Sequence, residues 1–282
     1  MHKVAIIDAD SLLYFEMGKP TLEEAITGID NRIHQILLET KCDKYIGFLT
    51  LGKCFRYQKA KTKPYKYNRK GGRKPPIFYA LREYVQQKFG FTSYYTLEAD
   101  DLVGLAREYW RGQWTAQHQL VAGETVICSP DKDVLNQVPG KHYNYQKAEF
   151  HITTHREAIL FLWTQVLMGD PTDGIPGIPG VGPVKAKKAL LNIPEAYNYP
   201  QIVLDTYLST FGEVEGMERF HETYKLVKIH TEMKAALEDA GLGLIDAVTE
   251  GGLFNCFTLP SDLNKAEDLT GSSSQEEEDS WG

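Results

Sequence analysis

The chain has 282 residues, 42% of them hydrophobic and 24% charged, with a formal net charge of −7 at pH 7. This is the composition of an ordinary soluble globular protein, long enough for one large domain or two small ones, and it argues against a disordered or fibrous chain. Nothing approaches an apolar run of about 18 residues, no signal-peptide pattern follows Met1-His2-Lys3, and the four cysteines (Cys42, Cys54, Cys128, Cys256) form no CxxC pair; a membrane span, secretion, a zinc cage and a disulfide framework are therefore not expected, and a cytoplasmic setting is.

In chain order, residues 3–7 (KVAII) form a short β-branched run ending at Asp8, which predicts a buried parallel strand. Residues 21–40 carry apolar side chains at helical spacing, with Thr21 and Glu24 as a capping box after Pro20. A second strand is expected over 44–49. Residues 53–74 then hold ten Lys or Arg and no acid, interleaved with Phe55, Tyr57, Tyr65 and Tyr67. Weak periodicity and Gly71-Gly72 predict a mobile loop or short helices standing off the domain, with cations to track a phosphate backbone and aromatics to stack on unpaired bases. A helix over about 76–89, a strand at 92–95, a helix from about 97 to 111, strands at 125–128 and about 141–145, and a helix over about 154–168 complete an α/β pattern with a parallel sheet. A Gly/Pro-rich segment follows, then helical patterns to about 245. Residues 261–282 carry seven acids and one lysine and read as a disordered tail; the rest of the chain is then close to neutral.

The acids are placed non-randomly. Asp8 and Asp10 follow the first strand, Glu98, Asp100 and Asp101 follow the strand at 92–95, and Asp131 and Asp133 follow the strand at 125–128. Asp170 and Asp173 close the next helix and open the Gly/Pro segment. An open parallel sheet gathers ligands beyond the carboxyl ends of its strands, so these distant acids are expected to converge. Any one pair reads equally well as helix caps; all four groups together point to a site for hard, oxygen-preferring cations. Two such ions roughly 4 Å apart stabilise both the attacking and the leaving oxygen of a phosphodiester cleavage. Asp10, one residue removed from Asp8, is as readily turned away from the pocket as toward it.

Gly177, Gly180 and Gly182 permit tight turns and a close backbone approach, and Pro183 suits the first turn of a helix. That helix N-terminus, with Lys185, Lys187 and Lys188 behind it, forms a sequence-independent phosphate grip.

These motifs (LEADD at 97–101, CSPDKD at 128–133, MGDPTDGIPGIPGVG at 168–182) and their order resemble those of the 5′-nuclease superfamily, the phage 5′→3′ exonucleases most, over roughly residues 1–195. The resemblance implies a PIN-like α/β domain over 1–168 with a central, mainly parallel sheet and a helical arch at 53–74. A helix–three-turn–helix and helical C-terminal region over 169–260 and the acidic tail over 261–282 follow. It implies Asp8, Glu98, Asp100, Asp101, Asp131, Asp133, Asp170 and Asp173 as metal-binding acids. Lys66 and Arg69 are implied at the scissile phosphate, and Tyr65 as a stacking residue. Gly177, Gly180, Gly182, Lys185 and Lys187 are implied at the DNA backbone. The expected cofactors are two Mg²⁺ ions, with Mn²⁺ as a substitute, and K⁺ at the helix–three-turn–helix. The expected activity is 5′→3′ exonuclease with flap or nick endonuclease action on DNA. The expected protein is a monomer in the cytoplasm (the host's, if viral), with a single-strand-binding protein or polymerase as the partner of its tail. An RNA-directed PIN-like nuclease and a non-catalytic structure-specific DNA binder are the alternatives. One departure stands out: the family's acid after the second strand is missing from Leu49-Thr50-Leu51-Gly52, which puts the second metal in question and makes Asp10 a candidate replacement.

Overall fold

Val4 and Ile6 point to one side of Lys3–Asp8 (β1), and Ala5 and Ile7 to the other, so this strand is buried on both faces. The computed structural model describes residues 3–69, 74–117, 124–241, 254 and 256–260. In it β1 lies between β2 (Lys44–Phe48) and β3 (Glu124–Cys128), parallel to both. β4 (Gly140–Asn144) runs parallel to β3, and β5 (Glu149–Thr153) pairs with β4 as an antiparallel edge, giving the order β2-β1-β3-β4-β5. The sheet is thus mainly parallel, as expected. The acidic tail at 261–282 and Gly71-Gly72 lie outside the described residues.

In chain order the helices are α1 (Ala9–Glu16), α2 (Leu22–Thr40), α3 (Arg56–Lys59), α4 (Pro76–Phe89), α5 (Ala99–Gln117), α6 (Lys132–Gln137), α7 (His155–Met168), α8 (Pro183–Leu191), α9 (Tyr199–Phe211), α10 (Glu213–Val227) and α11 (Met233–Ala240). Side chains of α1, α2 and α4 pack on Ala5 and Ile7. Those of α5, α6 and α11 pack on Val4 and Ile6. Thr21 caps α2 through the Glu24 amide, where its sequence placed it.

Two local expectations fail. No strand forms at 92–95: Thr92 makes one parallel bridge to Phe48, and the chain then bends away. The Phe91 ring fills the space above Gly47, and Thr96 takes a φ of +58°, so the extended run cannot continue. The other is α1, read as no element, which starts directly after Asp8 because that carboxylate accepts from the Ser11 amide.

A third core joins Trp163, Val166 and Leu167 of α7 to Leu190, Val203, Tyr207 and Phe220 of α8, α9 and α10, and it includes Cys54 and Tyr65 of the basic segment. This core straddles Met168, where the sequence suggested a division. The chain then returns to the sheet: Ile229, Ala236 and Phe254 join the α5 face, and Phe257 forms an antiparallel bridge to Tyr45 on the outer edge of β2. No described helix is long and apolar enough to cross a membrane.

Candidate metal and nucleic-acid site

Asp8 ends β1 with 2% of its surface exposed, and its Oδ2 accepts from both Ser11 Oγ and Ser129 Oγ at 2.8 Å. Ser129 Oγ in turn accepts the Asp131 amide at 3.0 Å, so one hydroxyl ties the ends of β1 and β3 together. Tyr145 fixes the Asp8 backbone from a third strand end, its hydroxyl donating to the Asp8 carbonyl at 2.9 Å. Asp131 caps α6, accepting the Asp133 amide at 2.6 Å. Asp100 lies in the first turn of α5.

These acids feel one another. Burial, then the charges of Asp10 and Asp131, push the Asp8 carboxyl up to about 7. Burial and then Asp131, Asp8 and Glu98 push Asp100 well above the carboxylate range. Burial and then Asp131 push Asp133 up to about 7. Asp131 is the common charged neighbour of all three, and the Ser129 hydroxyl links it to Asp8. Crowded carboxylates with raised proton affinity are a donor set suited to a hard divalent cation.

Asp10 turns toward the loop after β2. Both its oxygens lie 3.2 Å from the Thr50 amide. Thr50 also accepts the Ala99 amide through Oγ1 at 3.0 Å and receives Arg82 on its carbonyl at 2.7 Å. The stretch that lacks an acid is thus still wired to the α5 acids, with Asp10 beside it and Leu51 pointing out, 44% exposed.

The remaining acids are engaged by cations. β6 (Gly169–Asp170) and β7 (Ile175–Pro176) form a small ribbon whose turn carries Asp173. Asp170 is buried and accepts Lys132 at 3.2 Å and the Thr172 amide at 2.8 Å, while Gln165 donates to Asp133 at 2.7 Å. The Tyr65 hydroxyl lies 2.9 Å from both Glu98 and Asp173. Lys66 pairs with Glu98 at 2.5 Å and with Asp173 at 3.7 Å, and Arg69 pairs with Asp173. Burial alone would raise Glu98, yet Arg56 and Lys66 hold it below its ordinary range. Among the described residues no three acids stand in a ready-made metal cage.

This arrangement corrects three expectations. Residues 64–69 do not stand off the domain: the Lys66 amide donates to the Asp173 carbonyl at 2.8 Å, and the Asn68 amide side chain to the Pro171 carbonyl at 2.6 Å. Tyr65 is 4% exposed, so its ring is core rather than a stacking surface; Tyr57 and Tyr67, 40% and 55% exposed, are the open aromatics. Asp101 is fully buried beside Glu98, with both its oxygens on Arg56 at 2.7 and 2.8 Å, and so its carboxylate is already taken up by a guanidinium. Arg56, Ser129, Gln165, Thr50 and Tyr145 were not singled out from the sequence. Ser129 lay inside CSPDKD, but Arg56 was hidden among ten cations of one segment.

The Gly/Pro segment joins α7 to α8. A Cβ at Gly177 would fall 2.1 Å from the Met168 carbonyl carbon, whereas Gly180 (φ +73°) and Gly182 face open space. Gly182 precedes α8 without a side-chain cap, leaving the first amides of that helix free for an anion. Val184 is 82% exposed beside them, and Lys185 donates to the Gly180 carbonyl at 2.9 Å. Lys187 lies away from this tip, lining a cavity of about 230 Å³ with Asn136, His151 and Glu157.

No protein-family model matches the chain. It is 24% identical over 254 residues to flap endonuclease Xni of Shewanella halifaxensis, covering 83% of this chain and 95% of that relative. It is 31% identical over 185 residues to flap endonuclease Xni of Shewanella oneidensis, covering 58% of this chain and 66% of that one. A crystal structure of the bacteriophage T5 D15 flap endonuclease, a pseudo-enzyme–product complex with DNA and metal ions, matches with a TM-score of 0.66 at 15% identity, over 89% of this chain and 97% of the other. These likenesses are consistent with the 5′-nuclease superfamily. The fold of the chain is the mixed α/β fold of that superfamily's phage members, with the acids of this 5′ nuclease at the carboxyl edge of the central sheet.

Proposed function

We propose that the protein is a metal-dependent 5′→3′ DNA exonuclease with structure-specific endonuclease action on flaps and nicks. The observation that carries this reading is the meeting of Asp8, Asp100, Asp131 and Asp133 at one sheet edge, with Lys66 and Arg69 of the basic segment on the further acids Glu98 and Asp173. Divalent cations held by these acids, Mg²⁺ with Mn²⁺ as substitute, supply the nucleophile and charge neutralisation for phosphodiester hydrolysis. Asp8, Asp100 and Asp131 are assigned to one ion; Asp133 and Asp170, once Lys132 moves away, to a second. Glu98 and Asp173 join when Lys66 and Arg69 leave them. Those two cations then face the substrate and offset the charge that builds on the phosphate. The amides at the start of α8, with Lys185, hold the duplex backbone, and carbonyls of the 174–182 turns are assigned to K⁺. The protein acts as a monomer, and the acidic segment at 261–282 is assigned to a replication partner such as a polymerase or single-strand-binding protein.

A second reading, a DNA binder without turnover, is favoured by the acid-free loop at 49–52 and by the ion pairs on Glu98 and Asp173. Titrating Mg²⁺ and Mn²⁺ against a 5′-labelled flap separates the two. Product in either ion supports the nuclease; tight binding with no product in both supports the binder.

A further inference from the structure

Arg56 is 3% exposed at the root of the basic segment, and each of its five N–H groups has a partner. Nε donates to the Leu226 carbonyl at 3.0 Å. Nη1 donates to Glu98 Oε2 at 3.0 Å and to Asp101 Oδ2 at 2.7 Å. Nη2 donates to Asp101 Oδ1 at 2.8 Å and to the Lys228 carbonyl at 2.7 Å. Asp101 is equally spent: besides Arg56 it accepts the Glu98 amide at 3.2 Å and the His230 amide at 3.1 Å. A carboxylate has about four acceptor positions, and four donors occupy them here. No lone pair remains for a cation unless a bidentate pair buried on both sides is broken, and a charge left alone there has no water to turn to.

We propose that Asp101 is the counter-ion of Arg56 rather than a metal ligand, and that Arg56 is a positioning residue of the acid site. Arg56 holds Glu98 by one oxygen, Oε2, and leaves Oε1 pointing to where Lys66 now sits. It also joins three parts of the chain: the start of the basic segment, the acid motif opening α5, and the C-terminal end of α10. This assignment rests on the nuclease reading above. It separates two neighbouring acids that the family resemblance treats alike.

The test uses the full chain and counts bound Mn²⁺ by electron paramagnetic resonance, alongside single-turnover cleavage of a 5′ flap. Asp101→Asn is expected to keep the wild-type number of ions with affinity changed less than about threefold, while Asp131→Asn loses an ion. Arg56→Lys is expected to slow the cleavage step about 10-fold or more at saturating substrate, with flap affinity changed less than threefold, and Arg56→Met to slow it further. Should Asp101→Asn not fold, the double variant Arg56→Met/Asp101→Leu removes both charges together and answers the same ion count. Loss of an ion in Asp101→Asn, or in the double variant when Arg56→Met alone keeps it, overturns the assignment. So does an Arg56→Lys protein whose flap affinity falls tenfold while its cleavage step is unchanged, since that is the behaviour of a DNA-gripping cation. A wild-type protein that binds no Mn²⁺ overturns the nuclease reading and the assignment with it; wild-type binding combined with loss in Asp101→Asn overturns the assignment alone.

Discussion

The Lys66 ammonium lies 2.5 Å from Glu98 Oε1, so a cation predicted to meet the substrate is held by an acid predicted to hold a metal. Divalent ions and Lys66 therefore compete for one carboxylate. Adding Mg²⁺ is expected to release residues 64–69 and speed tryptic cleavage at Lys66 and Arg69 severalfold. Gly174→Ala should do the same without metal, because a Cβ there would fall 2.6 Å from the Tyr67 ring. Protection of the segment that increases with Mg²⁺ would contradict this.

Asp131→Asn removes the charge shared by Asp8, Asp100 and Asp133. Cleavage of a 5′ flap should fall by roughly 10²–10³-fold or more, while flap binding without metal stays within a few-fold. Turnover near the wild-type level in Mg²⁺ would remove Asp131 from the chemistry.

The pH dependence of stability follows from Asp8 and Asp133, each pushed up to about 7 from an ordinary value of 3.8. Their folded forms bind protons more tightly than the unfolded chain. They therefore favour folding at low pH, and that contribution is lost as pH rises through 7. Each group alone contributes stabilisation on the order of 1 kcal/mol between pH 8 and pH 6. Buried His142, pushed down to about 4, works the other way as pH falls below 6.5. The clean measurement is thus a difference: metal-free wild type should gain more Tm on going from pH 8 to 6 than Asp8→Asn does, and saturating Mg²⁺ should shrink that gain.

The glycines of the connector separate packing from strain. Gly177→Ala forces backbone apart and is expected to cost about 3 kcal/mol or more. Gly180→Ala meets open space at a φ of +73°, and should cost only about 1–2 kcal/mol. Thermal unfolding of the two variants checks the ranking; equal losses would mean the connector is looser than described.

At the tip of that connector, Lys185→Ala should weaken duplex binding across all sequences and reduce the slope of log affinity against log salt by about 1. Lys187 lines a cavity away from the α8 tip, so Lys187→Ala should change the slope less. A sequence-dependent loss for either would argue against a backbone grip.

Much of this arrangement could be read from the residues because its signals are local. KVAII announces a strand buried on both faces, and Asp8 behind it inherits a place at the sheet edge. Asp131 and Asp133 follow β3 in the same way. What stayed hidden depends on partners far along the chain. Nothing near Arg56 marks it as buried, since its acceptors are at 98, 101, 226 and 228. Asp101 looks like Asp100 until one sees which way each turn of α5 faces. Tyr65 belongs to a polar, basic run, yet its hydroxyl finds two acids and its ring enters the helical core. The strand expected at 92–95 reflected β-branched and aromatic composition, which a single turn at Thr96 overrides.

Arg56 also sets an order for assembly. A ribosome has made every acid of the site by residue 173, but two of the five acceptors of Arg56 are carbonyls of Leu226 and Lys228. Until those residues emerge, a guanidinium destined for burial keeps unpaired N–H groups, and the acid motif opening α5 lacks its anchor. The outer edge of β2 waits longer still, for Phe257. Such late, long-range closure is slow to nucleate, and it means that a nascent chain carries all its cutting groups well before it can hold them in register.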